Sequence, residues 1–253
     1  MPLPEQLGFA TAYFDLPGLR MHAAVAGPAG GRLVILLHGF PEFWYGWQHS
    51  IGALASAGFR VIAPDQRGYN LTEKQPPFDL RTLADDILHL MDAAGYVSAH
   101  IAGHDWGGAV AWGLAGWHPD RVERLVIANL PHPLALASAL RHLNLRQYLR
   151  SWYIALFQIP RLPEWLLGRG DFAVLRQLRH ATTRPEAFTE EDIERYASAW
   201  AQPGALAAML GWYRAAGRSG RQVMATRADF ETIHPPTRIL WGARDVALGV
   251  ELA

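Results

Sequence analysis

The residues Gly103-His104-Asp105-Trp106-Gly107 decide the fold of this chain. A short apolar run at residues 99–102 precedes them, and a pattern of small residues typical of a helix follows. Glycine on both sides allows a sharp turn from strand to helix, which leaves the side chain of Asp105 free at the carboxyl end of the strand. The pattern therefore predicts a nucleophilic aspartate at this turn.

The residue type at the turn selects the chemistry. A serine would need a partner to remove its proton, whereas an aspartate with an ordinary pKa of about 3.9 is already a carboxylate at neutral pH. A carboxylate can displace a leaving group from a saturated carbon and form an alkyl ester. Asp105 thus favours the opening of an epoxide or a carbon–halogen bond over the hydrolysis of a carboxylic ester.

Strand and helix patterns alternate through the first half of the chain. Strands are predicted at residues 19–26, 32–37, 60–64, 99–103 and 122–128, and helices at residues 45–57, 80–94 and 106–117. This alternation is typical of an α/β protein with a mostly parallel sheet flanked by helices. Such sheets bind ligands beyond the carboxyl ends of their strands, which is where Asp105 is expected.

The alternation stops at Pro131-His132-Pro133. Helical patterns without strands then continue to about residue 227, and a strand pattern returns at residues 237–241. Thr189 and Asp192 have the spacing of a capping box at the start of one of these helices. The sequence thus predicts a core of residues 1–130 and 228–253 with a helical cap, residues 131–227, inserted into it.

The composition of the chain indicates which binding partners and which cellular location to expect. The 253 residues are 50% hydrophobic, carry a formal net charge of zero and include no cysteine. Zero net charge favours neither nucleic acid nor an anionic membrane, and the missing cysteines exclude a disulfide or a cysteine-ligated metal. Residues 1–5 lack a signal pattern, and the longest apolar runs are too short to cross a bilayer. We expect a cytoplasmic protein with no metal, cofactor, nucleic-acid or membrane partner; the oligomeric state stays open.

The loop His38-Gly39-Phe40-Pro41 follows a predicted buried strand. The backbone N–H groups of Phe40 and Trp106 are expected to form an oxyanion hole for the intermediate that arises when water attacks the ester. The side chains of His38 and His104 lie in the same two loops. We expect both to be structural rather than catalytic bases.

Longer stretches resemble those of the α/β-hydrolase-fold epoxide hydrolases. In the core they are His38-Gly39-Phe40-Pro41-Glu42-Phe43-Trp44-Tyr45, Asp65-Gln66-Arg67-Gly68-Tyr69, Gly103-His104-Asp105-Trp106-Gly107-Gly108 and Asn129-Leu130-Pro131-His132-Pro133. In the cap they are Ser151-Trp152-Tyr153, Phe157-Gln158-Ile159-Pro160 and Trp212-Tyr213-Arg214. The resemblance covers nearly the whole chain and implies an α/β-hydrolase fold that acts on a small hydrophobic epoxide and water. The aspartate motif alone is shared with haloalkane dehalogenases, and the cap motifs are more specific.

The resemblance also assigns residues of the cap. Tyr153 and Tyr213 match the two tyrosines that bind the epoxide oxygen in that family. A phenol with a pKa of about 10 stays protonated at neutral pH and can donate to the alkoxide as the ring opens. Trp106, Trp152 and Phe157 are candidates for substrate contact. Tyr45, Tyr69, Tyr148 and Tyr196 are expected only to pack.

Asp245 matches the acid of the family's catalytic triad, because it follows the strand pattern Ile239-Leu240-Trp241. Its role would be to orient a histidine. Asn129 occupies the place where some dehalogenases carry that acid, and an amide cannot serve there.

No histidine follows Asp245 in the 253 residues, and the last one, His234, precedes the strand that leads to Asp245. The family places its histidine base after one further strand. We therefore expect this sequence to be a piece of an epoxide hydrolase that lacks its C-terminal part, with impaired turnover as it stands.

Two alternatives stay open. A haloalkane dehalogenase would use the Trp106 indole to bind halide, but the usual second donor position holds Phe40, whose side chain has none. Trp106 argues against a fluoroacetate dehalogenase, which would carry arginine at this position. A non-catalytic binding protein with the same fold is supported only by the missing histidine.

Overall fold

The computed structural model describes residues 9–141, 145–180, 182–219 and 227–253. Within these residues seven strands form one sheet, in the order β1-β2-β4-β3-β5-β6-β7. The strands are β1 (Ala10–Leu16), β2 (Leu19–Ala26), β3 (Leu33–Leu37), β4 (Arg60–Pro64), β5 (Ala99–His104), β6 (Val122–Ala128) and β7 (Thr237–Leu240). β1 and β2 run antiparallel to their neighbours, and the other strand pairs are parallel. The predicted α/β class with a mostly parallel sheet is confirmed.

The central strands are buried because helices cover both faces of the sheet. Every residue of β3 is buried, as expected for a parallel strand enclosed on both sides. β3 pairs with β5 so that Leu37 lies beside Gly103. This register brings the loop after β3 next to the turn after β5, and both predicted parts of the site therefore meet at one edge of the sheet.

Helices of the core follow the sequence patterns closely. They are α1 (Gln48–Ser56), α2 (Leu80–Ala93) and α3 (Trp106–Trp117). Asp79 caps α2 by accepting a hydrogen bond from the Thr82 backbone N–H, as is common at helix starts. The helix predicted from residue 45 begins instead with a 3₁₀ turn, Trp44–Trp47, and becomes α-helical at Gln48.

The cap consists of helices in the part that the structure describes. They are α4 (Pro133–Arg141), α5 (Leu145–Arg150), α6 (Trp152–Phe157), α7 (Leu162–His180), α8 (Glu190–Trp200) and α9 (Ala205–Ser219). The predicted capping box is confirmed, because Thr189 and Asp192 exchange hydrogen bonds at the start of α8. Helix α7 has non-helical backbone from Arg169 to Phe172. Residues 1–5, which were searched for a signal pattern, lie outside the described residues. Residues 220–226, at the end of the predicted cap, lie outside them as well.

Among the side-chain hydrogen bonds that join the cap to the core, three involve helix α8 or α9. The Trp200 indole donates to the Pro41 carbonyl at 2.9 Å, and the Trp212 indole donates to the Arg67 carbonyl at 3.0 Å. The third bond runs from the Tyr45 hydroxyl of the core to Asp192 of α8 at 2.6 Å. These contacts fix the cap over the carboxyl ends of β3 and β5. No helix in the described ranges is long and apolar enough to cross a membrane.

Candidate active site

Asp105 lies between β5 and α3 with φ +48° and ψ −121°. A non-glycine residue rarely adopts this conformation, and its neighbours must be small for the turn to close. A Cβ at Gly103 would lie 2.3 Å from the Gly107 carbonyl oxygen, and one at Gly107 would lie 2.2 Å from the Leu37 carbonyl oxygen. The two glycines of the motif are therefore required by close backbone contacts.

Backbone N–H groups from two loops point at the Asp105 carboxylate. The Phe40 N–H donates to Oδ1 at 2.9 Å, and the Trp106 N–H also donates to this carboxylate. Gly39 makes the approach possible, since a Cβ there would lie 2.5 Å from the Asp105 Cβ. The two N–H groups expected from the sequence thus lie together at Asp105.

Burial, neighbouring charges and hydrogen bonds act in opposite directions on the pKa of Asp105. Burial raises the pKa of Asp105, and the charge of Glu42 acts in the same direction. The charge of His104 and the hydrogen bonds from Phe40 and Trp106 lower it. The net result is a pKa above the ordinary value for an aspartate.

His104 and Glu42 form an ion pair beside the nucleophile, with 3.2 Å between Nδ1 and Oε2. Burial alone would lower the pKa of His104, but the hydrogen bond and charge of Glu42 raise it to about 9. Burial raises the pKa of Glu42, yet the contact with His104 leaves it below the ordinary value. His104 is therefore protonated at neutral pH and cannot act there as a general base.

His38 is fully buried and both ring nitrogens are occupied. The Gln66 N–H donates to Nε2 at 3.1 Å, and Nδ1 lies 3.0 Å from the Gly39 carbonyl. Because Nε2 accepts, Nδ1 carries the proton and donates. Burial lowers the pKa of His38 and keeps it neutral. These contacts give His38 the structural role expected from the sequence.

Tyr153 on α6 and Tyr213 on α9 face the nucleophile, with ring centroids 6.1 Å apart. Burial raises the pKa of both hydroxyls, and the charge of Asp105 raises both further. Both tyrosines therefore keep their protons at neutral pH. The Trp106 indole donates a hydrogen bond to the Tyr213 hydroxyl, and the two rings meet edge to face with centroids 5.0 Å apart.

Phe157 and Phe40 complete the aromatic cluster around these hydroxyls. Phe157 lies 4.9 Å from Tyr213 and 5.5 Å from Tyr153 between ring centroids, and Phe40 lies 5.3 Å from Tyr213. The structure does not bring Trp152 into this cluster. Its side chain points outward from α6 and is 65% exposed.

Asp245 follows β7, and hydrogen bonds fix its carboxylate. Oδ1 accepts from the Ala247 and Leu248 N–H groups at 2.7 and 2.9 Å, and Oδ2 accepts from the Asn129 amide. The charges of Asp245 and Asp105 both raise the pKa of Tyr153, which locates Asp245 at the same site. His234 precedes β7 and lines a separate groove with Trp112 and His132.

Sequence reasoning missed four residues that support the site. They are Glu42, Asn129 as a hydrogen-bond donor, Gln147 and Trp200. The Gln147 side chain donates to the Ala247 carbonyl at 2.8 Å and accepts from the Gly249 N–H at 3.2 Å, so α5 contacts the loop after Asp245. Glu42 and Asn129 lie inside motifs that resemble the family, whereas Gln147 and Trp200 have no such local signal and bond partners distant in sequence. No cluster of three or more histidine or carboxylate side chains suited to a metal ion occurs in the described ranges.

An aspartate at this strand-to-helix turn, with backbone donors from the loop after β3, defines an α/β hydrolase. The family model of the alpha/beta hydrolase fold matches residues 32–245. The chain belongs to the epoxide hydrolase family of that fold.

Individual relatives agree with this assignment. The chain is 45% identical to the AB hydrolase superfamily protein YfhM of Bacillus subtilis over 97% of its own length and 85% of that protein. It is 36% identical to Epoxide hydrolase 4 of Mus musculus over 93% of its length and spans 66% of that protein. Among solved structures, epoxide hydrolase VrEH1 of Vigna radiata matches with a TM-score of 0.79 at 30% identity, over 94% of this chain and 81% of that one.

Proposed function

We propose that this protein opens a small hydrophobic epoxide through an ester to Asp105, as the first half of hydrolysis to a vicinal diol. Asp105 attacks one ring carbon, the carbon–oxygen bond of the epoxide breaks, and the oxygen leaves with the electron pair. Tyr153 and Tyr213 donate hydrogen bonds to that oxygen and supply its proton. The products of this half-reaction are a β-hydroxyalkyl ester and a tyrosine that must regain its proton.

The second half-reaction releases the diol. Water adds to the ester carbonyl, and the Phe40 and Trp106 N–H groups stabilise the negative oxygen that forms. Loss of one such donor typically lowers the rate by about 10²–10³. Asp245 would orient a histidine base that activates this water.

The two cap tyrosines carry the proposal. Two protonated phenols whose pKa values both respond to the Asp105 charge supply donors on the side opposite the attacking carboxylate. An epoxide oxygen needs such donors because its negative charge develops inside an aromatic cluster, away from water. Carboxylic esters would instead require an activated serine or cysteine.

The site favours an epoxide over a haloalkane. The Trp106 indole N–H, which a dehalogenase would direct at halide, donates to the Tyr213 hydroxyl. The second halide donor would have to come from Phe40, whose side chain offers no N–H. Two phenol donors suit an epoxide oxygen, because the oxygen must be protonated as the ring opens. A halide leaving group needs no proton.

Intact-protein mass spectrometry with styrene oxide tests this function. We expect samples quenched rapidly after mixing to show the mass of one epoxide added at Asp105. Asp105→Asn should show no adduct, and 1-bromobutane in a parallel reaction should give neither adduct nor bromide. A folded wild-type protein without adduct, or an adduct that persists in Asp105→Asn, would contradict the proposal.

A further inference from the structure

The outward side of the cap carries large apolar side chains on α6 and the first turns of α7. We call this surface the outer cap face; it consists of Trp152, Ile154, Ile159, Leu162, Trp165 and Leu166, all exposed. Trp152 and Trp165 are 65% and 57% exposed. Helices α6 and α7 contact each other, and Leu162, Trp165 and Leu166 have the i, i+3, i+4 spacing that aligns side chains on one side of a helix.

The inward sides of the same helices are already occupied. Tyr153 and Phe157 of α6 belong to the aromatic cluster, and Leu167 of α7 packs against the core. The buried positions of both helices are therefore filled by other residues, and the residues of the outer cap face are not needed for packing inside the protein. Several large apolar side chains exposed on neighbouring helices of a soluble domain indicate an interaction site.

The charge of this region differs from that of the whole chain. Residues 145–180 contain six arginines and two acidic residues, whereas the whole chain has a formal net charge of zero. One of the two acids, Glu164, is bound by the Arg214 guanidinium at 2.6 and 3.0 Å. Arg161 is exposed beside Leu162, and the Arg169 guanidinium lies 4.5 Å from the Trp165 ring centroid.

Tryptophan and leucine bordered by arginine are the combination that binds the interface of an anionic bilayer. The indole rings lie at the level of the headgroups, and each nearby arginine adds attraction to anionic lipid. We propose that the outer cap face binds the surface of an anionic lipid bilayer. This inference stands on exposure and charge and is independent of the reaction at Asp105.

A second copy of the chain is the competing occupant, and the charges disfavour it. A symmetric dimer contact places the same patch on both partners, so arginines of one copy would face arginines of the other. The expectation of no membrane partner followed from the net charge of the whole chain. Net charge does not report how charge is distributed, and Arg161 and Arg169 lie beside apolar residues of the outer cap face.

Sedimentation with lipid vesicles tests the proposal. The full chain should bind vesicles of phosphatidylcholine containing phosphatidylglycerol and not vesicles of phosphatidylcholine alone. Raising NaCl should weaken the binding, because salt screens exposed charges. Arg161→Glu changes two units of charge and should weaken the binding roughly thirtyfold. Trp165→Ser should weaken it while keeping its salt dependence.

Two exposed sites in the core give matched controls. Arg81→Glu on α2 makes the same change of charge, and Val97→Ser removes a side chain that is 80% exposed. Both should bind anionic vesicles within about threefold of wild type, because sites away from the bilayer are screened. Circular dichroism should show all four variants folded, as expected for exposed positions.

Three results would overturn the proposal. The first is no binding to anionic vesicles, or equal binding to neutral and anionic vesicles. The second is an equal effect of Arg161→Glu and Arg81→Glu. The third is a concentration-dependent dimer in light scattering that Trp165→Ser abolishes, which would assign the outer cap face to a second copy of the chain.

Discussion

The carboxylate of Asp105 accepts hydrogen bonds from backbone groups on two elements, the loop after β3 and the start of α3. These donors belong to the main chain, and they depend on glycine at 39, 103 and 107 because a Cβ at any of them would contact backbone or the nucleophile within 2.5 Å. The geometry at Asp105 therefore requires these three glycines as much as it requires the aspartate. This part of the site is readable from the sequence.

The tyrosine hydroxyls make a testable contribution to the first half-reaction. Tyr153→Phe or Tyr213→Phe removes one donor to the epoxide oxygen and should slow adduct formation by roughly 10²-fold, a typical effect of a positioned acid. The double variant should be slower than either single variant. Initial rates of adduct formation by mass spectrometry measure this.

Tyr196→Phe serves as the control for the loss of a hydroxyl in the cap. Its ring packs on Phe43 and Tyr45, away from the nucleophile, so the rate should stay near that of wild type. Adduct formation at wild-type rate in the Tyr153→Phe, Tyr213→Phe double variant would contradict the assigned role.

The ion pair of His104 and Glu42 should make stability depend on pH. Folding raises the pKa of His104 to about 9, above the ordinary value of about 6.5. The ion pair therefore stabilises the folded state fully below pH 6.5, and this contribution is lost as pH rises through 9. Because His104 is 37% exposed, solvent limits the effect to the order of 1 kcal/mol.

Urea unfolding of wild type and Glu42→Gln measures this dependence. The difference in free energy of unfolding should be largest near pH 6 and should narrow by pH 10. A difference that stays constant across this range would show that His104 does not titrate with a raised pKa.

At the scale of elements, the turn from Gly39 to Glu42 links core and cap. The Glu42 N–H closes it by donating to the Gly39 carbonyl at 2.9 Å. Within it, the Phe40 N–H contacts Asp105, the Pro41 carbonyl accepts from Trp200, and the Glu42 side chain contacts His104. A helix of the cap thus takes part in positioning a backbone donor of the active site.

Trp200→Phe tests this link, because it keeps an aromatic ring and removes the indole N–H. The Pro41 carbonyl then loses its donor, which should cost about 1 kcal/mol. Hydrogen exchange at the Phe40 amide should become faster in a peptide covering residues 37–43. Trp165→Phe is the matched control, since Trp165 is 57% exposed on α7. Equal exchange rates in the two variants would contradict a role for Trp200 in positioning the Phe40 N–H.

Elements with a strong local pattern were predicted well, and those set by tertiary context were not. The buried strand at Leu33–Leu37 and the capped helix at Leu80–Ala93 follow directly from apolar spacing and Asp79. Strand β1 (Ala10–Leu16) was missed because it lies at the edge of the sheet and is mostly exposed. Its pairing with β2, rather than its own residues, makes it a strand.

At the scale of the whole molecule, the sequence predicts which elements exist more readily than how distant ones meet. The motif around Asp105 and the match of Tyr153 and Tyr213 to family motifs were available from the chain alone. The hydrogen bond from Trp200 to Pro41 joins residues 159 positions apart, and no local pattern encodes it. The same holds for Asn129 and Asp245, which are 116 positions apart.

The distribution of charge also belongs to the whole molecule. A net charge of zero predicts no attraction to an anionic surface only when the charges are evenly spread. Residues 145–180 of the cap contain six arginines and two acidic residues, and helix α8 supplies acids nearby, including Glu190, which pairs with Arg176. Composition therefore gave an expectation about membranes that the folded arrangement of charge calls into question.

The two indole bonds that the cap donates to the core, from Trp200 and Trp212, both end on main-chain carbonyls, those of Pro41 and Arg67. A carbonyl acceptor is present whatever side chain the core carries at that position. These two bonds therefore depend on the side chains of the cap and not on those of the core. The cap should consequently behave as an exchangeable module. A chimaera that joins it to the core of a relative needs the same backbone path at these two loops. It also needs the core side chains that bond the cap, such as Tyr45 to Asp192 and Trp106 to Tyr213.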